Sequence, residues 1–555
     1  MFDSAFRAAA GVAAMPARWL SFGMHHLATG SHAVVEVVVQ PKAELIDRQA
    51  LIEELTRMAH DPTVAGVVFR FDGSPGGWAA ATDLRASIEL LSRCHKPTVA
   101  MLENPGNVEL WLGTACDHVF LVPTGQVMAI GVGAQLTFFA EALSRIGVVP
   151  DIEAAGEFKA AGEPMTRRFA SAANRTATKA LIDGIHHRLI KGIAESRELS
   201  AEVVTDAIAR APLSAAEALD VGLVDALKYP DQLGDWLDGE FGSRCGRISL
   251  ARWTRWSGLE ERLSYVGTDE HVAIVHLQGA IVLEEQPGAV SIAARTVVDL
   301  LAGLREASNI RGVVLHVNSP GGSAYASDLI WRQVERLVRE KPVVACFEDV
   351  SASGGYYLSA PASHIVARPT TITGSIGVVG GKPVAAEALR KLGVHIETIA
   401  ASPNATMFSP TAPFTDAQRE RFRASLQVMY DGFVQRVAGG RRRHVDLIEP
   451  HCRGRVWLGS EAATIGLVDQ LGNVDVAVAQ VEKLTSRSLA RLHISGHNRP
   501  SWVAKQAQKV VRDAVPIGIR SIGGPVLDTL GPASTAWLSC SGQPLALWPY
   551  DLVIR

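Results

Sequence analysis

Ser353 lies in the run EDVSASGGYYLSA, residues 348–360. A small residue, a serine, two glycines and then a helical pattern are what a strand-to-helix nucleophile turn requires. Small neighbours let the serine oxygen stand clear and let a substrate backbone approach, and the helix N-terminus offers unpaired N–H groups close to a developing oxyanion. A second glycine-rich turn, NSPGGS at 318–323, follows a strand-like run and opens another helical pattern, so its N–H groups can face the same pocket. Taken alone, S-G-G also suits a βα turn with no chemistry. A serine nucleophile needs a base, and the general expectation is a Ser–His–Asp triad. Of the 17 histidines, His364 is the nearest candidate, eleven residues after Ser353 and just before the strand-like IVA. A histidine at that place equally serves structure.

The elements that must position these residues occur twice. Gly66-Val67-Val68 is echoed by Gly312-Val313-Val314, and Ser74-Pro75-Gly76-Gly77 by Ser319-Pro320-Gly321-Gly322. Lys96-Pro97 returns as Lys341-Pro342, LxxxGV of 143–148 at 389–394, and AxxxGLVD of 218–225 at 462–469. Five anchors in one order, all offset by 244–246 residues, establish an internal duplication. In each copy short β-branched runs such as VAGVVFRF (64–71) and IRGVVLHV (310–317) alternate with helical patterns such as 82–93 and 326–340. That alternation predicts an α/β fold of two tandem repeats, with mostly parallel sheets and flanking helices. The expected division is an N-terminal apolar or amphipathic segment (1–30), a first repeat (31–230), a connector (231–269), a second repeat (270–483) and a tail (484–555) to which no role is assigned.

At 555 residues the chain exceeds one ordinary hydrophobic core. It is 47% apolar and 20% charged with a net charge of −3, and it carries no long basic block, which argues against nucleic acid. Its six cysteines are scattered without a C-x-x-C pair, so neither a disulfide framework nor a zinc site is expected. Residues 5–24 are interrupted by Arg7, Pro16 and Arg18 and do not make a spanning helix. Phe2, Phe6, Ala9 and Ala13 recur at helical spacing, which suits an interfacial amphipathic helix or one packed on the protein's own body. A cleaved signal peptide is a third reading, weakened by the poor hydrophobic stretch.

The set NSPGGS, then DVSASGGYY, then TITGSIGV (371–378), continued through YDGFVQRV (430–437) and GRVWLGSEAATIGLVD (454–469), resembles the signal peptide peptidase A family, S49, in its long tandem form. That family is related to the Clp protease and crotonase folds. The resemblance implies that Ser353 is the nucleophile and that the base is a lysine of the first copy, Lys159 in EFKAAGEPMT (157–166). It implies that Ser375 orients the lysine amine and that Gly354, Gly321 and Gly322 form the oxyanion hole. The residue after Lys159 is Ala160 where serine is commoner in the family.

The duplication bears on this carry-over independently. An offset of 246 sets Lys159 against Ala405 and Ser353 against Asn107, so each copy lacks the half that the other retains. A lysine base must be neutral, with its pKa well below about 10.4, and an apolar cleft does that. The resemblance further implies cleavage of hydrophobic peptides such as released signal peptides, no cofactor and no metal. It also implies a homotetramer, with membrane association at a bacterial inner membrane. The rival readings are a crotonase-type acyl-CoA enzyme and an inactive membrane-associated scaffold.

Overall fold

The structure is a computed structural model, and it describes residues 33–41, 44–242, 245–255, 270–285, 289–496 and 545–547. The N-terminal segment 1–30 and most of the tail lie outside the described residues. The chain divides into two compact units: 1–133 with 183–270, and 134–182 with 271–554.

In the first unit six strands form one parallel sheet. Their order across it is Ala226–Leu227, His118–Leu121, Thr98–Leu102, Val64–Phe71, Ala33–Val39 and Gly246–Ser249. Val35, Val37 and Phe69 are fully buried within it, as expected of strands covered on both faces. The helices Leu45–His60, Trp78–Arg93 and Asn107–Gly113 make the crossovers.

The second unit repeats that order. Gln470–Leu471, His364–Ala367, Val343–Ala352, Ile310–Ser319, His271–Gln278 and Ala490–Ser495 are parallel neighbours in a sheet that Ile372–Gly374 and the antiparallel Val456–Leu458 extend beside Val343–Ala352. The duplication seen in the residues is therefore a duplication of topology. It also extends past the motifs: a helix and an edge strand at Pro230–Phe241 and Gly246–Ser249 correspond to Val474–Thr485 and Ala490–Ser495. Side chains from Ile274, Val314, Val344, Ala477 and Val481 fill one face of this sheet, while Leu315, Phe347, Ile330 and Tyr356 belong to the larger core on the other.

One detail of register anchors both sheets. Asp225, in the first GLVD motif, accepts from the Val119 amide at 2.7 Å and pairs with Arg197. Asp469, in the second, accepts from the Ile365 amide at 2.7 Å and pairs with Arg441. His118 and His364 begin the two strands so anchored.

A second sheet in this unit runs Ser291–Ala293, Ala280–Val282, Gly321–Ser323, Leu545–Leu547, Val378–Val384 and Val149–Ala155. Val149–Ala155 comes from the first copy and pairs antiparallel with Val378–Val384 over seven residues, from Val149 opposite Val384 to Ala155 opposite Val378. This pairing carries residues 156–166 into the second unit.

No helix among the described residues is long and apolar enough to cross a membrane. Nor does any group of three or more His, Cys, Asp or Glu among them have the arrangement of a metal site.

Candidate active site

The strand Val343–Ala352 ends at Ser353, and the helix Gly354–Ser359 begins at the next residue. A reversal that abrupt forces Ser353 to φ 55° and ψ −114°, a conformation that costs a non-glycine residue on the order of 1–3 kcal/mol. Two backbone bonds hold it there. The Ser353 amide donates to Gly374 O at 2.8 Å, and Ser353 O accepts from the Tyr357 amide at 2.8 Å. Ser375, just past the strand Ile372–Gly374, also has positive φ (51°), and its amide donates to Arg455 O at 2.7 Å. Backbone strain thus falls on both serines that face the lysine.

Lys159 follows the strand Val149–Ala155 by four residues and caps the short 3₁₀ turn Ala160–Gly162. Its loop is fastened to residues 453–454. The Phe158 amide donates to Arg453 O at 2.7 Å, and Gly454, at φ 79°, lies so close that a Cβ there would come within 2.5 Å of the Lys159 nitrogen. Only glycine admits both that conformation and that approach.

Lys159 Nζ lies 2.7 Å from Ser353 Oγ, 2.9 Å from Ser375 O and 3.0 Å from Ser375 Oγ. Three partners suit the tetrahedral valence of the amine, whose neutral form would donate its two N–H bonds to Ser375 O and Oγ and turn its lone pair to the Ser353 hydroxyl hydrogen. Both Lys159 and Ser353 are buried, and burial alone holds the Lys159 amine well below the ordinary lysine value.

Among the other expected site residues, Gly354 and Gly321 lie in contact, since a Cβ on Gly354 would stand 3.2 Å from Gly321 Cα. Gly354 opens its helix, so its N–H has no intrahelical partner. Gly321, at φ 102°, donates its amide to Ser319 Oγ at 3.2 Å, and Gly322 pairs with Ile281. His364 makes no hydrogen bond to Ser353; its Nδ1 lies 4.0 Å from Asp469. In the first unit Asn107, the counterpart of Ser353, opens the helix Asn107–Gly113 and exchanges two bonds with the backbone of Gly131. Ala405, the counterpart of Lys159, is exposed in a turn.

Beside the site is a cavity of about 360 Å³ between the strands Gly321–Ser323 and Val378–Val384, the nucleophile helix and the long helix Asp416–Gly440. Ala324, Tyr357, Val378, Val428, Met429 and Phe433 line it. At one side Asp328 accepts from Tyr357 Oη at 2.7 Å and pairs with Arg436 at 2.8 Å, while the Arg436 guanidinium lies over the Trp331 and Tyr357 rings. Sequence reading missed this wall and the 453–455 clamp. The signals for them were the run YDGFVQRV, which carries Gly432, Phe433 and Arg436 at helical spacing, and the run GRVWLGSEAATIGLVD, which opens on Gly454 and Arg455.

Comparison with known proteins places the chain in a family. The chain is similar to the chloroplastic serine protease SPPA of Arabidopsis thaliana, 29% identical over 77% of this chain and 64% of that one. It is similar to Protease 4 of Haemophilus influenzae, at 28% over 77% of this chain and 71% of the relative, and of Salmonella typhi, at 30% over 70% and 64%. The matches thus span under two thirds of two of these three relatives. A ClpP1 mutant from Listeria monocytogenes superposes with a TM-score of 0.25 at 16% identity, covering 36% of this chain and 91% of that one. The model of peptidase family S49 matches twice, over residues 91–242 and 335–487, once in each copy of the duplication, and the chain belongs to that family.

Proposed function

We propose that the protein is a serine endopeptidase that cleaves apolar peptides, such as released signal peptides, with a Ser353–Lys159 dyad. The observation that carries this reading is the 2.7 Å approach of a buried lysine amine to the serine oxygen at a strained strand-to-helix turn. Neutral Lys159 takes the Ser353 proton as Oγ attacks the substrate carbonyl. The ammonium then returns that proton to the leaving amine, and water hydrolyses the acyl-enzyme with the amine again as base. Ser375 holds the amine's two N–H bonds away from the nucleophile, which aims the lone pair. The Gly354 N–H at the helix start is a donor for the oxyanion, and Gly321 and Gly322 line the opposite side of the same position.

The lining of the cavity supports an apolar substrate residue. Gly432→Trp, which fills that cavity from the helix side, is expected to lower kcat/KM for apolar peptides by about tenfold or more. Labelling of Ser353 by a small fluorophosphonate is expected to proceed as in the parent.

A lysine base fixes the sign of the pH dependence. The amine works only when deprotonated, so kcat/KM rises with pH through the lowered Lys159 value and then levels. Because burial disfavours the ammonium, this limb is expected well below the ordinary lysine value of about 10.4. His364→Ala is expected to leave the limb in place, since the first unit has the same strand-anchoring arrangement around His118 and contains no serine nucleophile. A folded but inactive His364→Ala would require a histidine base instead.

The reading includes a homotetramer and attachment to the membrane. Segments 134–138 and 395–401 support the assembly. By the repeat offset they correspond to parts of the paired strands Val378–Val384 and Val149–Ala155, yet neither is in a sheet, and Ile399 is 94% exposed. Pairing 395–401 of one copy with 134–138 of the next would cover both. The proposed membrane contact, residues 2–13, lies outside the described residues. Light scattering and cell fractionation test the two parts.

A further inference from the structure

The strands Gly321–Ser323 and Val378–Val384 are not paired with one another. Leu545–Leu547 lies between them, antiparallel to both. Leu547 stands opposite Gly321, Ala546 opposite Gly322, and Leu545 opposite both Ser323 and Val379. On their other sides these strands are already paired, Gly321–Ser323 with Ala280–Val282 and Val378–Val384 with Val149–Ala155. The slot therefore has two inward-facing edges and room for one strand.

Each edge leads directly to the reacting groups. Gly321 touches Gly354, the residue after Ser353. Val378 begins three residues after Ser375, and its partner Ala155 precedes Lys159 by four residues. An extended peptide in this slot runs past the Ser353 hydroxyl. On the Gly321-Gly322 side, backbone rather than side chains faces such a peptide, as strand addition at close range requires. The sequence restricts what can enter from this chain. Leu545-Ala546-Leu547-Trp548 is an apolar run bracketed by Pro544 and Pro549, and prolines stop a central strand from extending in either direction.

We infer that residues 545–547 are a built-in occupant of the substrate slot, an intramolecular competitor that holds the peptidase closed to peptides until it is displaced. This rests on the reading of the cleft as a peptide site in Proposed function. An apolar peptide entering the slot must replace the Leu545–Leu547 strand, so its apparent Kd is the intrinsic Kd divided by the fraction of chains in which the slot is open. Weakening the strand should raise that fraction without touching Ser353, Lys159 or the cavity.

The test uses the full chain in a Ser353→Ala background, so that binding is read without turnover. The probe is the fluorescein-labelled peptide SGQPLALWPY, the sequence of residues 541–550, followed by fluorescence anisotropy. Successive N–H groups of a strand point to opposite neighbours. Ala546→Pro and Leu547→Pro therefore each remove a donor toward a different edge of the slot. Both variants are expected to bind the peptide about tenfold or more tightly than the chain with its own strand intact, with Ala546→Pro and Leu547→Pro giving shifts of the same sign. Equal or weaker binding in both variants overturns the inference, and so does absence of binding in all three chains. Because the readout needs no catalysis, a chain that binds in this pattern but whose Ser353-containing Ala546→Pro counterpart cleaves nothing would sink the peptidase reading and leave the occupant standing.

Discussion

Purified Ser353→Ala and Lys159→Ala chains are each expected to lose peptide hydrolysis by a factor on the order of 10⁴ or more, and the double variant to be scarcely worse than either alone. Non-additivity follows from the geometry. The two side chains share one proton along a 2.7 Å contact, so removing either member disables the same step. Lys159→Arg is expected to be as inactive as the alanine variant, since a guanidinium stays protonated and has no lone pair to offer. Ser375→Ala should fall in between. It removes the 3.0 Å side-chain bond and leaves the 2.9 Å bond to Ser375 O, so the amine keeps one of its two restraints. A stopped assay on a fluorogenic apolar peptide measures all five.

The second large effect is expected in stability, at a place the reaction does not touch. Glu348 lies in the strand that ends at Ser353, and it is buried. Its carboxylate lies 3.0 Å from Arg368 Nη2 and 2.9 Å from His316 Nε2, and Arg368 also donates to Phe347 O at 2.6 Å. Arg368 is 1% exposed. Arg368→Met removes the cation and leaves a buried carboxylate to be desolvated against fewer partners, a loss of about 3–5 kcal/mol. Adding Glu348→Gln should recover part of that loss, because the uncompensated charge is then gone. Denaturant titration of the single and double variants reads both. An Arg368→Met chain as stable as its parent would show that the ion pair does not hold this strand.

The sheets were legible in the sequence because their signal is local and repeated. Runs such as 64–71 and 310–317 announce buried strands one by one, and the constant offset between copies makes the two sheets share one strand order. Ser353 was legible for a similar reason, since its turn is written in adjacent residues. Lys159 is different. Its partner is 194 residues away, and nothing around EFKAAGEPMT reveals that contact; a family resemblance and the complementary gap at Ala405 pointed to it. The means by which it reaches Ser353 was not readable at all. It depends on antiparallel pairing of Val149–Ala155 with Val378–Val384, whose registers carry no turn or charge signal that names the partner. Gly454 illustrates the same limit. In sequence it is one glycine among 50, and only its packing against the Lys159 backbone explains why no side chain can stand there. Leu545–Leu547 is three residues long, too short for any periodicity to be read from it.

The central claim is that Ser353 is a nucleophile made reactive by a neutral Lys159. Exposure of the purified chain to a small fluorophosphonate, followed by peptide mapping, tests it most directly. The expected result is one adduct, on Ser353, formed at a rate that rises with pH through the lowered lysine value, and no measurable adduct at that position in Lys159→Ala over the same time. Adduct formation on Ser353 in Lys159→Ala at the parent's rate, or modification of a different serine in the parent chain, would contradict the dyad.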